Sequence, residues 1–290
     1  MSIDNEIPIF KMNGLGNQIV VADLRGYNGE LSIAQVGIIA EFPRTKFDQL
    51  MVLQRPRAAG TEAQVRIYNT DGSQAEACGN GMRCVAKIAG DGHQPMKFET
   101  AAGILDVSFA GDGSITVDMG RPRFRWDEIP LRDEFHDTTK IELQIGPIDA
   151  PVLHSPSVCN MGNPHAIFWI EDIDSLALDK FGPMLEHHPI FPERANITIA
   201  KVLRPDHVQT RTWERGVGLT EACGSAACAV LASGVRTRRL ARKAVVSVPG
   251  GDLTIAWPSD DSGILMAGPA ELEYQGIAKI LPGGELTLEV

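Results

Sequence analysis

The chain has 290 residues, of which 43% are apolar and 22% charged, with a formal net charge of −10. That composition suits a soluble globular protein large enough for two domains of roughly 150 residues each. The acidic balance argues against a nucleic-acid partner, and no apolar run approaches the roughly 20 residues that cross a bilayer, so no membrane partner is expected.

The opening stretch, MSIDNEIPIFKMNG, carries acidic residues and no apolar run, so no signal peptide is expected. Next, GLGNQIVVADL places the Gly16-Asn17 turn before a predicted strand over 19–24. SIAQVGIIAEF reads as a helix. QLMVLQ and AQVRIYN read as strands, with Gln49 at the mouth of the first. QAEACGNGMRCVA then sets Cys78 immediately before a small-residue helix. Two short β-branched runs follow, ILDVSFA and SITVDM, and GRPRFRWDEIP at 120–130 reads as a linker.

The same succession then returns. NMGNPHAIFWI places Gly162-Asn163 before a strand over 166–170, and SLALDKFGPMLEHH reads as a helix. ITIAKVL and VQTRTWE read as strands, with Asn196 at the mouth of the first. TEACGSAACA sets Cys223 before the helix SAACAVLASGVRTRRL, and AVVSVPG and DLTIAWP close the series. The basic cluster RTRRLARK at 236–243 reads as a solvated helix end, where cations suit the dipole.

Three anchors recur in one order. Asn17 and Asn163 stand 146 residues apart, Gln49 and Asn196 147, and Cys78 and Cys223 145, half the chain length. This points to a duplication into two pseudo-equivalent halves, not a short-period array. The expected class is α+β. Each half is a curved, mostly antiparallel sheet around a central helix, with the active-site cleft between the halves. The expected domains are 1–125, joined by the C-terminal strand 275–290, and 126–274.

Several chemistries are excluded by spacing. GLGNQI has two of the three glycines of a dinucleotide fingerprint but precedes a strand and opens no helix. GNGMRC lacks the GK[ST] of a phosphate loop. The five cysteines are Cys78, Cys84, Cys159, Cys223 and Cys228. Their two close pairs are spaced C-x5-C and C-x4-C, with no His in either motif, so no metal site is expected. They are expected to be reduced thiols in a cytoplasmic protein. Cys84, Cys159 and Cys228 share no register and read as buried core thiols.

Cys78 and Cys223 read differently. A cysteine at a helix N-terminus meets unpaired N–H groups and the positive dipole end, which favour thiolate. The same N–H groups, at Gly79-Asn80 and Gly224-Ser225, can cradle a carboxylate. Two such thiols on opposite sides of one carbon would invert it, one removing a proton and the other supplying one. The cradles would stabilise the enediolate-like charge that develops, in place of a pyridoxal cofactor, so none is expected.

At these residues the chain resembles the diaminopimelate epimerases, which share a cofactor-independent fold with proline racemases. The motifs run in order along nearly the whole chain: KMNGLGN, FDQL, YNTDGS, ACGNGMRC, MGNPHA, PERAN, WERGVG, ACGSAACA and VPGGDLTIAW. The resemblance implies interconversion of LL- and meso-2,6-diaminopimelate in lysine and peptidoglycan precursor synthesis, with Cys78 and Cys223 as the acid/base pair. It implies substrate contacts from Asn17, Gln49, Asn69, Asn163 and Asn196. Glu214 and Arg215 would meet the non-reacting amino-acid end, and Gly79, Asn80, Gly224 and Ser225 the reacting carboxylate. His165 and Glu214 would modulate the thiols, and Tyr274 would lie at a homodimer interface. The chain departs from the family pattern at Asn13, Gln18, Leu219 and Ala226, which bears on substrate tolerance. Two alternatives remain open: a proline- or hydroxyproline-type racemase of the same fold, and a redox thiol protein. The first leaves Glu214-Arg215 without a partner, and no C-x-x-C motif supports the second.

Overall fold

The computed structural model describes residues 6–27, 29–75, 78–281 and 284–290; Glu76 and Ala77 of the first cysteine turn lie outside them. The chain divides into two compact units, Met1–Asp118 with Ala267–Val290, and Met119–Met266.

In the first unit Glu6–Gly14 and Asn17–Asp23 form an antiparallel hairpin. Ile19 to Ala22 are all fully buried, a continuous apolar run that suits a strand covered on both faces. Asn17–Asp23 pairs in parallel with Gln49–Gln54, and the crossover between them contains α1 (Ile33–Glu41). Ser32 and Gln35 close a capping box at its start. Gln49–Gln54 runs antiparallel to Ala63–Asn69, which pairs antiparallel with Gln74–Ala75 and in parallel with Met96–Thr100. That last crossover contains α2 (Gly79–Ala89), whose residues from Gly79 to Ala86 are buried. Met96–Thr100 then meets Gly103–Phe109 antiparallel. Glu271–Ile280 adds antiparallel to Glu6–Gly14 and returns the C-terminal segment to this unit.

The second unit repeats the pairing order. Ser157–Asn160 lies antiparallel to Pro164–Trp169, which is parallel to Asn196–Arg204 across α3 (Leu178–Glu186). Asn196–Arg204 is antiparallel to His207–Glu214, which pairs antiparallel with Gly218–Leu219 and in parallel with Lys243–Val248. The last crossover contains α4 (Gly224–Arg236), and Lys243–Val248 then meets Gly251–Ala256 antiparallel. Ala226, Ala227, Ala229 and Ala232 keep α4 slim enough for strands to pack around it. The class is α+β; among the described residues antiparallel pairs are in the majority, with two parallel pairs in each unit.

Two local expectations change. Residues 120–130 are not a loose linker, because Phe124 packs 5.8 Å from Trp257 and Ile129 is fully buried. Nor is the basic cluster merely solvated. Arg236 lies 4.1 Å over the Phe124 ring, Arg239 5.3 Å over Trp169 and Arg242 5.1 Å over Trp257. The guanidinium faces gain from stacking on aromatic rings, which charge and the helix dipole alone do not supply. Among the described residues no helix is long and apolar enough to cross a membrane.

Candidate active site

Cys78 is the N-cap of α2, with extended backbone at φ −148° and ψ 98°. Its sulfur stands where a Ser or Thr oxygen usually stands and accepts the Gly81 N–H at 3.2 Å. The thiol donates to Gln49 Oε1 at 2.8 Å. Strand register brings the amides together, since Gln49 faces Ile19 on one side and Asn69 on the other. Asn69 Nδ2 donates to Ser73 Oγ at 3.0 Å. Asn17 Nδ2 donates to Asp48 Oδ2 at 3.2 Å, and the same oxygen accepts the Gln18 N–H at 2.8 Å. Asp48 thus orients Asn17, a role missed in the sequence although FDQL contains it. Gly79 and Asn80 open α2, where backbone N–H groups lack helical partners. A Cβ on Gly81 would lie 2.5 Å from Met51 Sδ and 3.2 Å from Cys78 Sγ, so glycine is what admits the sulfur.

The Gly-Asn turns are built alike. Asn13 Oδ1 accepts the Gly16 N–H at 2.8 Å, and Asn160 Oδ1 accepts the Gly162 N–H at 2.7 Å. Asn13, a departure from the family pattern, therefore does the work of Asn160 in the other unit.

Cys223 is the N-cap of α4, at φ −119° and ψ 107° and only 7% exposed. Ser225 Oγ lies 3.5 Å from its sulfur. Glu214, which accepts from Thr220 Oγ1 at 2.5 Å, adds a carboxylate beside the thiol. Burial, and then the Glu214 charge, push the Cys223 thiol well above its ordinary pKa; Ser225 and the Ala226 N–H offset only part of that. A helix N-terminus alone predicted the opposite direction. Burial also lifts Cys84 and Cys159 to about 12, and with the buried Cys228 they are core thiols.

His165 is fully buried, and its Nε2 donates to Asn163 Oδ1 at 2.7 Å. Burial and the nearby Arg215 charge lower its pKa to about 3, so it is a neutral imidazole at pH 7. Asn196, 2% exposed, donates to Pro164 O at 3.1 Å and accepts the Arg215 N–H at 2.9 Å. Its amide holds the Arg215 turn, and Arg215 itself donates to Glu193 O at 3.0 Å. Tyr274 lies on the strand Glu271–Ile280 opposite Lys11, with Arg44 5.4 Å over its ring. Its buried hydroxyl has no hydrogen-bond partner among the described residues. Among the described residues no group of three or more His, Cys, Asp or Glu side chains could hold a metal ion.

The family model for "Diaminopimelate epimerase" matches residues 9–125 and again residues 157–273. The chain belongs to the diaminopimelate epimerase family. It is 58% identical over 270 residues to a diaminopimelate epimerase of Afipia carboxidovorans, covering 92% of this chain and 93% of that one. It is 59% identical over 269 residues to one of Brucella anthropi, covering 92% and 89%. Among solved structures, a hydroxyproline epimerase from Agrobacterium vitis with bound trans-4-OH-L-proline is similar at a TM-score of 0.64. At 14% identity, over 97% of this chain and 94% of that one, this is a likeness of fold. The double match repeats the duplication seen in the strand order. Residues 126–156, between the matched segments, add Ile129, Leu131, Ile141, Leu143 and Leu153 to the second unit's core.

Proposed function

We propose that this protein interconverts LL- and meso-2,6-diaminopimelate by moving one proton at an α-carbon, with Cys78 and Cys223 as the two proton-transfer groups. The observation that carries this reading is the matched pair of N-capping cysteines, each opening the central helix of its own unit. Inversion needs a base on one face of the carbon and an acid on the other, and the two exchange roles in the reverse direction. The raised pKa of Cys223 suits it to rest as the thiol, the proton donor. Cys78 sits against the Gln49 amide, which can accept from a thiol or, turned over, donate to a thiolate.

The reacting carboxylate would lie against the helix-opening amides of Gly79-Asn80 and Gly224-Ser225. Their fixed dipoles meet the charge that grows as the α-proton leaves, the task a pyridoxal ring performs elsewhere. At the far end, Arg215 offers a guanidinium to the second carboxylate and Glu214 an acceptor to the second ammonium. Asn17, Gln49, Asn69, Asn163 and Asn196 supply or brace amide contacts. His165 contributes as a neutral hydrogen-bonding group, not as a cation. A substrate with a single amino-acid end, such as proline, leaves Glu214-Arg215 unanswered.

Such a substrate and reduced thiols support a cytoplasmic enzyme acting on a small molecule, with neither nucleic acid nor membrane as a partner. A homodimer with Tyr274 at its interface rests on the family resemblance. The test uses purified, reduced protein with LL-diaminopimelate in D2O and no pyridoxal phosphate. Deuterium at the α-carbon and meso product are expected. Neither appearing would overturn the reading.

A further inference from the structure

Glu214 and Arg215 sit in a turn, and the group that fixes this turn lies outside every motif that carries the family resemblance. α3 ends at Glu186, a carboxylate only 3% exposed. Its Oε2 accepts from Trp213 Nε1 at 2.7 Å, and its Oε1 accepts the Gly216 N–H at 2.9 Å. Those two donors are the residues immediately before and after Glu214-Arg215. Arg194 Nη1, 3.4 Å from Oε1, supplies the neighbouring cation. From the opposite side Asn196 holds the Arg215 N–H, and the Glu193 carbonyl holds its guanidinium.

Burying a carboxylate is unfavourable unless donors replace its water, and here three do. An apolar contact would hold α3 to the sheet at least as well for stability alone. What an apolar residue cannot do is fix the direction of two N–H groups that bracket a functional pair. The packing beside it is equally committed: a Cβ on Gly182 would lie 2.5 Å from the Trp213 ring. The spacing between α3 and Trp213 is therefore set, and Glu186 reaches its two donors from a fixed base.

We propose that Glu186 is the positioning residue for the Glu214-Arg215 pair and thereby sets how tightly the far amino-acid end of the substrate is held. This rests on the epimerase reading above. Glu186 touches no substrate atom in this scheme; it acts through Trp213 and Gly216.

The test compares wild type, Glu186→Gln, Trp213→Phe and the double variant on LL-diaminopimelate, with thermal unfolding run in parallel. In Glu186→Gln an amide N–H confronts the indole N–H, so one charge-assisted bond is lost and a donor is left facing a donor. KM is expected to rise about tenfold, with kcat falling by less than KM rises, because the far end is held alike in ground and transition states. Trp213→Phe keeps the ring packing and loses one bond, so its KM should rise about threefold. The double variant should return toward the Trp213→Phe value, which a merely structural loss would not do. KM within about twofold of wild type in folded Glu186→Gln, or in Trp213→Phe should the first not fold, overturns the proposal. A loss confined to kcat overturns it as well. A wild type inert on LL-diaminopimelate overturns the epimerase reading, and this proposal with it.

Discussion

The two cysteine turns share a backbone and differ in what surrounds the sulfur. Cys78 is half-buried, and its sulfur meets the Gly81 N–H and the Gln49 amide. Cys223 is buried, with the Glu214 carboxylate beside it. Both cap a helix, yet the pKa of Cys223 moves upward. The magnitudes explain why: a helix N-terminus is worth about 0.3–1 kcal/mol, up to ~2 in favourable partly buried geometry, whereas full burial shifts a titrating group by up to ~3–5 pKa units. Position on a helix therefore identifies a candidate thiol without fixing its protonation. The neighbours decide that, and here they differ between the halves.

The largest effect should come from removing either sulfur. Cys78→Ala and Cys223→Ala should each lower epimerisation by about 10²–10⁴-fold, the range for a general acid or base. Chiral chromatography of LL- and meso-diaminopimelate reads the result. Near wild-type turnover in one variant would mean that the turns are not equal partners and would end the two-base scheme.

Much of this was legible before any coordinates, because duplication turns weak signals into registered ones. The Gly-Asn turns, the strand-opening Gln49 and Asn196, and the helix-capping cysteines were all visible at nearly one spacing. What stayed hidden depends on side chains distant in sequence. Glu186 meets Trp213 across 27 residues, and Arg236 meets Phe124 across more than a hundred. Asn196 looked like a twin of Gln49 by position. Gln49 accepts from the Cys78 thiol, whereas Asn196 braces the Arg215 turn. Equivalent register carried the location and not the partner.

A second contrast concerns the strand pairs that open each unit. Ile19 faces Gln49 in the first, and His165 faces Asn196 in the second; both side chains are fully buried. With its pKa lowered to about 3, His165 is neutral in the folded state, while an unfolded His titrates near 6.5. Between those values the unfolded chain binds the extra proton. Stability from this group is thus complete above about pH 6.5 and is lost as pH falls toward about 3. From pH 7 to 5 the loss should be about 2 kcal/mol. Urea titrations at the two pH values should show it in wild type and not in His165→Ile, which copies the first unit. An equal pH slope in both proteins would assign the acid sensitivity elsewhere.

A third contrast lies one turn into each central helix, where Gly81 stands in the first and Ala226 in the second. In the first, a new methyl would press on Met51 and Cys78 Sγ. Gly81→Ala should therefore cost about 1–3 kcal/mol as overpacking and reduce kcat by displacing the sulfur. Ala226→Gly should leave kcat nearly unchanged and cost about 1–2 kcal/mol, from helix propensity and the loss of one buried methyl. Thermal unfolding and steady-state kinetics on the pair separate the two. Similar kcat losses in both would show that the crowding is not specific to Cys78.

The smallest expected effect tests the likeness of the two turns rather than their difference. Asn13 and Asn160 each use Oδ1 to accept the N–H of the turn glycine, Gly16 or Gly162, at nearly equal lengths of 2.8 and 2.7 Å. Asn160 also donates to the Glu128 carbonyl at 2.8 Å and is 7% exposed. Among the described residues the Asn13 amide nitrogen reaches Glu273 alone, at 3.5 Å, near the surface. Losing one neutral hydrogen bond costs about 0.5–1.5 kcal/mol, while leaving a buried partner unsatisfied costs about 1–3. Asn13→Ala should therefore fall in the lower range and Asn160→Ala in the upper. Chemical unfolding of both variants measures the gap. Equal losses would mean that the turn bond alone sets the cost, and that the burial around Asn160 adds nothing to it.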